Sequence, residues 1–119
     1  MQHALALAEL RQFHRNPVRV HAFVHVHGGF QPVTIIDYSR GGLQLRGTFG
    51  LFQGNQVVIE FMSGIRVPGR VVWCLGARAG IAFSDALPET HPAMSELARA
   101  KNVPRTPAEL RADLMANFQ

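Results

Sequence analysis

The chain has 119 residues, 47% of them hydrophobic and 17% charged, with a formal net charge of +4. That length suits one domain with one core, and the apolar content excludes an intrinsically disordered chain. No apolar run approaches the ~18 residues of a membrane span, so no membrane insertion is expected.

The opening, MQHALALAELRQFHR, has no basic stretch ahead of its apolar residues and does not read as a signal peptide. Cys74 is the single cysteine, which fits a reduced, cytoplasmic compartment. Between Arg11 and Phe83 eight arginines face only Asp37 and Glu60, whereas acids and bases nearly balance after Ser84. Eleven of the twelve basic residues are arginine. The planar guanidinium fork grips phosphate and stacks on rings, so a phosphate-bearing partner and a solvated basic surface both fit this half.

In chain order, residues 1–17 are expected to form a flexible N-terminal segment with little apolar periodicity to hold it, the first ten weakly helical or disordered. Residues 18–83 read as β. In VRVHAFVHVH the residues Val18, Val20, Ala22, Val24 and Val26 alternate onto one face. Gly28-Gly29 marks a hairpin turn, and FQPVTIIDYS is the returning strand. Ser39 to Gly42 breaks that strand, and Leu43 to Arg46 forms a third. Glycines 47, 50 and 54 punctuate a loop before the fourth strand, QVVIEF. The fifth, IRVPGRVVWCL, is long and bent at Pro68-Gly69, and Ala79 to Phe83 is the sixth. Short strands with frequent turns predict a closed antiparallel barrel, which leaves no exposed edge. Residues 84–119 change character. Ala93 to Lys101 and Pro107 to Phe118 have helical composition, with Thr106-Pro107 as cap and first helical position. Leu110, Leu114 and Phe118 form a stripe that covers an open barrel end or serves a partner.

Three features carry chemistry. Arg11 and Arg15 form an R-x-x-x-R pattern ahead of the first strand. Asp37-Tyr38-Ser39-Arg40-Gly41-Gly42 is a D-x-S-x-x-G pattern where the second strand ends. Gly69-Arg70-Val71-Val72-Trp73 precedes Gly80-Ile81-Ala82-Phe83 on the next strand. In this order and placement the chain resembles the PilZ family over about Arg11 to Phe83. The resemblance implies a mainly β fold, a six-stranded antiparallel barrel with a C-terminal helix or helices. It also implies a cyclic di-GMP receptor rather than an enzyme, with no cofactor. The resemblance assigns the ligand to Arg11, Arg15, Asp37, Ser39 and Gly42. Arg19, Arg40 and Trp73 are auxiliary candidates. It leaves the protein partner unidentified, with motility, surface polysaccharide and pili as the processes in view.

The chemistry of these residue types agrees. Guanidinium groups bond phosphate with charge assistance and stack on purines. A carboxylate such as Asp37 matches the two adjacent N–H donors of guanine. Ser39 donates to a base or organises the turn, and Gly42 permits a sharp turn or close approach. A plain Asx/Ser turn is the alternative for this motif. The position before R-x-x-x-R, an arginine in many family members, is Leu10 here. A second register, Arg15 with Arg19, stays open.

His21, His25 and His27 share the strand face opposite the valines. A metal site there lacks further ligands nearby in sequence, so a solvent-facing stripe is expected and no metal. No nucleophile elbow or Walker-type loop is present. A single-stranded nucleic-acid barrel is disfavoured by the lack of alternating aromatics on one strand. A ligand-free protein adaptor of the same fold is the other alternative.

Overall fold

The computed structural model describes residues 13–102. Arg11, the first ten residues and the Leu110/Leu114/Phe118 stripe lie outside them. Six strands form: β1 (Asn16–Val26), β2 (Gly29–Tyr38), β3 (Gly42–Arg46), β4 (Gln56–Phe61), β5 (Arg66–Leu75) and β6 (Arg78–Phe83). One helix follows, α1 (Pro92–Asn102). The strands close into an antiparallel barrel in the order β1-β2-β3-β6-β5-β4, with β1 pairing β4 to seal it. The expected six-stranded antiparallel barrel with a C-terminal helix is the observed fold.

Alternation decides what faces inward. Val24, Ile35, Leu45, Ile59, Val71 and Ile81 are completely buried in one core. Each such side chain contributes about 1.5–3 kcal/mol of burial. The β1 valines pack on this core as the alternation predicted.

Both barrel ends are closed by chain. At one end α1 adds Ala93, Met94 and Leu97 to the core. The helix starts at Pro92, and the amide of Ala93 donates to Nδ1 of His91 at 3.0 Å, a histidine N-cap. Lys101 Nζ ties the last turn to Asn16 Oδ1 on β1 at 2.5 Å. At the other end the β3–β4 loop turns Thr48 and Leu51 inward and Phe49 and Phe52 outward. Gln31, buried on β2, satisfies its amide on the backbone N–H and C=O of Phe49, both at 2.9 Å.

The first hairpin turns one residue earlier than expected. Val26 pairs with Gly29, so His27-Gly28 is the two-residue loop, with φ of 51° and 80°. Two positive φ values match the twist of flanking strands, and this outweighs the cost of placing a histidine in the left-handed region. The fifth strand keeps its pairing through Pro68-Gly69, where a bend was expected. Pro68 and Gly69 pair regularly with Val58 and Val57, and the irregularity falls between Val71 and Trp73.

Candidate ligand-binding site

β2 carries a bulge. Ile35 pairs with Leu45 while Asp37 pairs with Gln44, so Ile36 is the extra residue. An extra residue reverses which later side chains face inward. Tyr38 therefore joins the core, where burial pushes its phenol up from its ordinary value. Asp37 is turned to the outside. There it meets Arg15, whose Nε donates to Asp37 Oδ1 at 3.1 Å and whose Nη2 bonds the same oxygen more closely. The side chains of this ion pair are 27% and 21% exposed. The R-x-x-x-R and D-x-S-x-x-G elements, 22 residues apart, thus touch through Arg15 and Asp37. Arg19 sits on β1 where its pairing with β2 shifts, between Pro17 and Val20.

The turn after β2 is fixed by its own hydrogen bonds. Ser39 is 1% exposed, and its hydroxyl oxygen accepts the Gly41 amide at 3.1 Å. The Ser39 amide reaches the Gly42 carbonyl at 2.9 Å. Ser39 therefore organises the turn, and its Oγ lies below the surface. Gly41 C=O accepts from Phe83, and Arg40 C=O accepts from Leu87, both at 2.9 Å. Arg40 is already engaged, with Nε donating to Leu87 O at 2.8 Å and its guanidinium 5.2 Å from the Phe13 ring centre. Gly42 is the first residue of β3 and pairs with Ala82.

Trp73 does not belong to the barrel core. The extra residue in β5 is Val72, and Val72, Trp73 and Ala82 make a small cluster apart from the core. The indole lies over Gly80, where an added Cβ would fall 2.1 Å from Trp73 Nε1. Glycine is what lets the ring lie against the wall.

The histidines are not a uniform solvent stripe. His21 and His27 are exposed, but His25 Nε2 is 2.6 Å from Glu60 Oε1 and its ring lies 5.5 Å from that of Phe30. Arg66 Nη2 holds the same Glu60 oxygen at 3.1 Å. The His25 hydrogen bond, followed by the Arg66 charge, keeps the Glu60 carboxyl below its usual range. Among the described residues no group of three His, Cys, Asp or Glu is assembled to hold a metal. No described helix is long and apolar enough to cross a membrane.

The family model described as PilZ domain matches residues 9–100. The chain belongs to the PilZ domain family. The structure resembles the PilZ domain of CeSA from a cellulose-synthesizing bacterium, with a TM-score of 0.55 at 18% identity. That match covers 74% of this chain and 94% of the other. It also resembles the Borreliella burgdorferi PlzA protein, solved in complex with c-di-GMP, with a TM-score of 0.59 at 19% identity. Here the match covers 83% of this chain and 46% of PlzA. At these identities the likeness is one of fold. A search of curated protein sequences returns no significant match.

One residue of the third motif of this PilZ domain is not among the ligand residues that the resemblance assigns. Arg70 faces outward from β5, between Gln56 of β4 and Ala82 of β6. Its Nε is fully enclosed and meets no hydrogen-bond acceptor. Alternation from Val67 and Val71 assigns Arg70 to the outer face. Only the closed barrel shows what surrounds it.

Proposed function

We propose that this PilZ domain is a receptor for cyclic di-GMP that acts without catalysis, passing the messenger's presence to a protein partner through its N-terminal segment. The Arg15–Asp37 pair carries this reading, because it joins the two motif elements in one place on the outer wall. PlzA, of the same fold, is solved with c-di-GMP, which supports the choice of ligand.

The chemistry is an exchange of partners. A phosphate of the ligand takes Arg15, and the released Asp37 carboxylate accepts the two adjacent N–H groups of guanine. A partly exposed ion pair is worth about 0–1 kcal/mol. Each new charge-assisted bond is worth roughly 1.5–3 kcal/mol, and together these bonds must outweigh the entropy of ordering the segment. Ser39 keeps the turn in shape, Gly42 lets the ligand approach the backbone, and Arg11 adds a second phosphate contact. The ligand then gathers the N-terminal segment onto the barrel, altering the surface a partner meets.

Calorimetric titration tests this. Cyclic di-GMP should bind with micromolar or tighter affinity, about −8 kcal/mol or better, while GTP and a short oligonucleotide bind far more weakly. Arg15→Ala and Asp37→Ala should each weaken binding about tenfold or more. Amide exchange over residues 2–16 should slow on saturation with ligand. Oligonucleotide binding at physiological salt, without cyclic di-GMP binding, would replace this reading with a nucleic-acid barrel.

A further inference from the structure

The outer wall holds a cleft of about 590 Å³ that none of Arg15, Asp37, Ser39 and Gly42 lines. It runs from the β1–β2 turn across β4 and β5 to the end of β6. Its polar lining includes His25, His27, Gln56, Arg70 and Ser84, and Pro68 gives it an apolar side. Among the described residues no acidic side chain lines it. The volume lies in the range of small-molecule sites, ~300–1,000 Å³, and exceeds what a lone carboxylate ion fills.

Arg70 is the unusual member. A guanidinium N–H shut away from both water and protein acceptors is costly, and folded chains rarely leave one so. The Arg70 Nε is in that state. The fork that Nε forms with its neighbouring N–H groups matches two oxygens of a phosphate. The His25 and His27 rings also lie in the lining, although His25 Nε2 is held by Glu60 and His27 Nε2 lies 3.3 Å from the Asn55 amide nitrogen. Pro68 offers a surface for the flat or carbon part of an organic phosphate.

The pairing register connects this cleft to the candidate site. Gly42 pairs with Ala82, and Ala82 pairs with Arg70, so the three stand in one outward row across β3, β6 and β5. Two strand spacings put Arg70 about 10 Å from Gly42.

We propose that the Arg70 cleft is a phosphate-binding subsite, in which the Arg70 guanidinium turns into the cleft and an organic phosphate there supplies the acceptor that its enclosed Nε lacks. Two sources of the phosphate are chemically equivalent here. One is the far phosphate of a cyclic dinucleotide seated at Asp37, which rests on the receptor reading above. The other is a separate mononucleotide.

The test compares wild type, Arg70→Gln and Arg70→Lys with cyclic di-GMP, GMP and citrate. Calorimetry gives affinities, and NMR follows the His25 and His27 ring signals. Thermal melting checks folding. Because Nε has no partner in the free protein, Arg70→Gln should melt within a few degrees of wild type, whereas a purely structural arginine would not. If the messenger fills the cleft, Arg70→Gln weakens cyclic di-GMP about tenfold or more. Arg70→Lys, with charge but no fork, recovers only part of that loss. If a mononucleotide fills it, cyclic di-GMP is unaffected, while GMP moves the histidine signals in wild type and not in Arg70→Gln. Equal affinities for both nucleotides in all three proteins, or citrate matching GMP, would overturn the subsite. Failure of wild type to bind cyclic di-GMP would remove the receptor reading alone, since the GMP arm still decides the cleft.

Discussion

Gly80 and Trp73 are a matched pair on the outer wall. An alanine at position 80 would place its Cβ within 2.6 Å of three indole atoms. Gly80→Ala is therefore expected to push the ring outward and cost about 1–3 kcal/mol. Trp73 is the single tryptophan, so its emission should shift to the red in step with the drop in melting temperature. Glu60 sets a second expectation at this scale. Its carboxyl is held below its ordinary value of 4.5 by the His25 hydrogen bond and by Arg66. A lowered carboxylate pKa adds stability that is complete above the unfolded value and disappears as pH falls through the folded one. Acidification below about pH 4.5 should thus lower the melting temperature of wild type more than that of Glu60→Gln. His25→Ala should raise the Glu60 titration midpoint, read by carboxyl NMR.

Among the elements, the β3–β4 loop shows how a connection becomes part of a barrel. It is pinned on three sides: by Gln31 of β2, by the Ala77 carbonyl accepting from Gly47 and Thr48, and by Val71 of β5. These bonds leave Leu51 as a plug, while Phe49 and Phe52 are 71% and 69% exposed. Leu51→Ala should cost about 2 kcal/mol or more, as for other buried leucines. Phe49→Ser and Phe52→Ser should each stay within about 0.5 kcal/mol, as surface changes do. Denaturant midpoints at constant slope distinguish the two classes. The bulges act at the same scale. Ile36 turns Asp37 outward, and Val72 sends Trp73 to the wall.

At the level of the whole molecule, α1 is a lid on the barrel core rather than an appendage. Leu97 is completely buried and shares the core with the strands. Ser63 Oγ donates to Glu96 at 2.5 Å, tying the helix to the β4–β5 turn. Leu97→Ala should lower global stability by about 2–5 kcal/mol. Far-UV and tryptophan signals should melt together, because helix and barrel are one cooperative unit. Separate transitions would show that the helix docks independently. The candidate ligand site lies at the α1 end, where Arg40 bonds Leu87 on the way to the helix. The exposed phenylalanines lie at the opposite end.

The sequence alone determined the strand count, the closed barrel and the placement of Asp37, Ser39 and Gly42 at a strand end. Period-two alternation and turn glycines are local signals, and the inward valines of β1 follow from them. It also marked Arg15 as a candidate ligand residue in either register, with Arg11 or with Arg19. It could not determine that Arg15 pairs with Asp37, because that depends on one bulge residue, Ile36, reversing the face. Nor could it place Trp73 outside the core or reveal that Arg70 Nε is enclosed without a partner. The Leu110 stripe was one candidate for closing a barrel end, whereas Ala93, Met94 and Leu97 are seen to close one. Bulges, turn register and the packing of one strand's outer face on its neighbours are set by long-range pairing. Closure of the barrel fixes that pairing, and no stretch of sequence encodes it by itself.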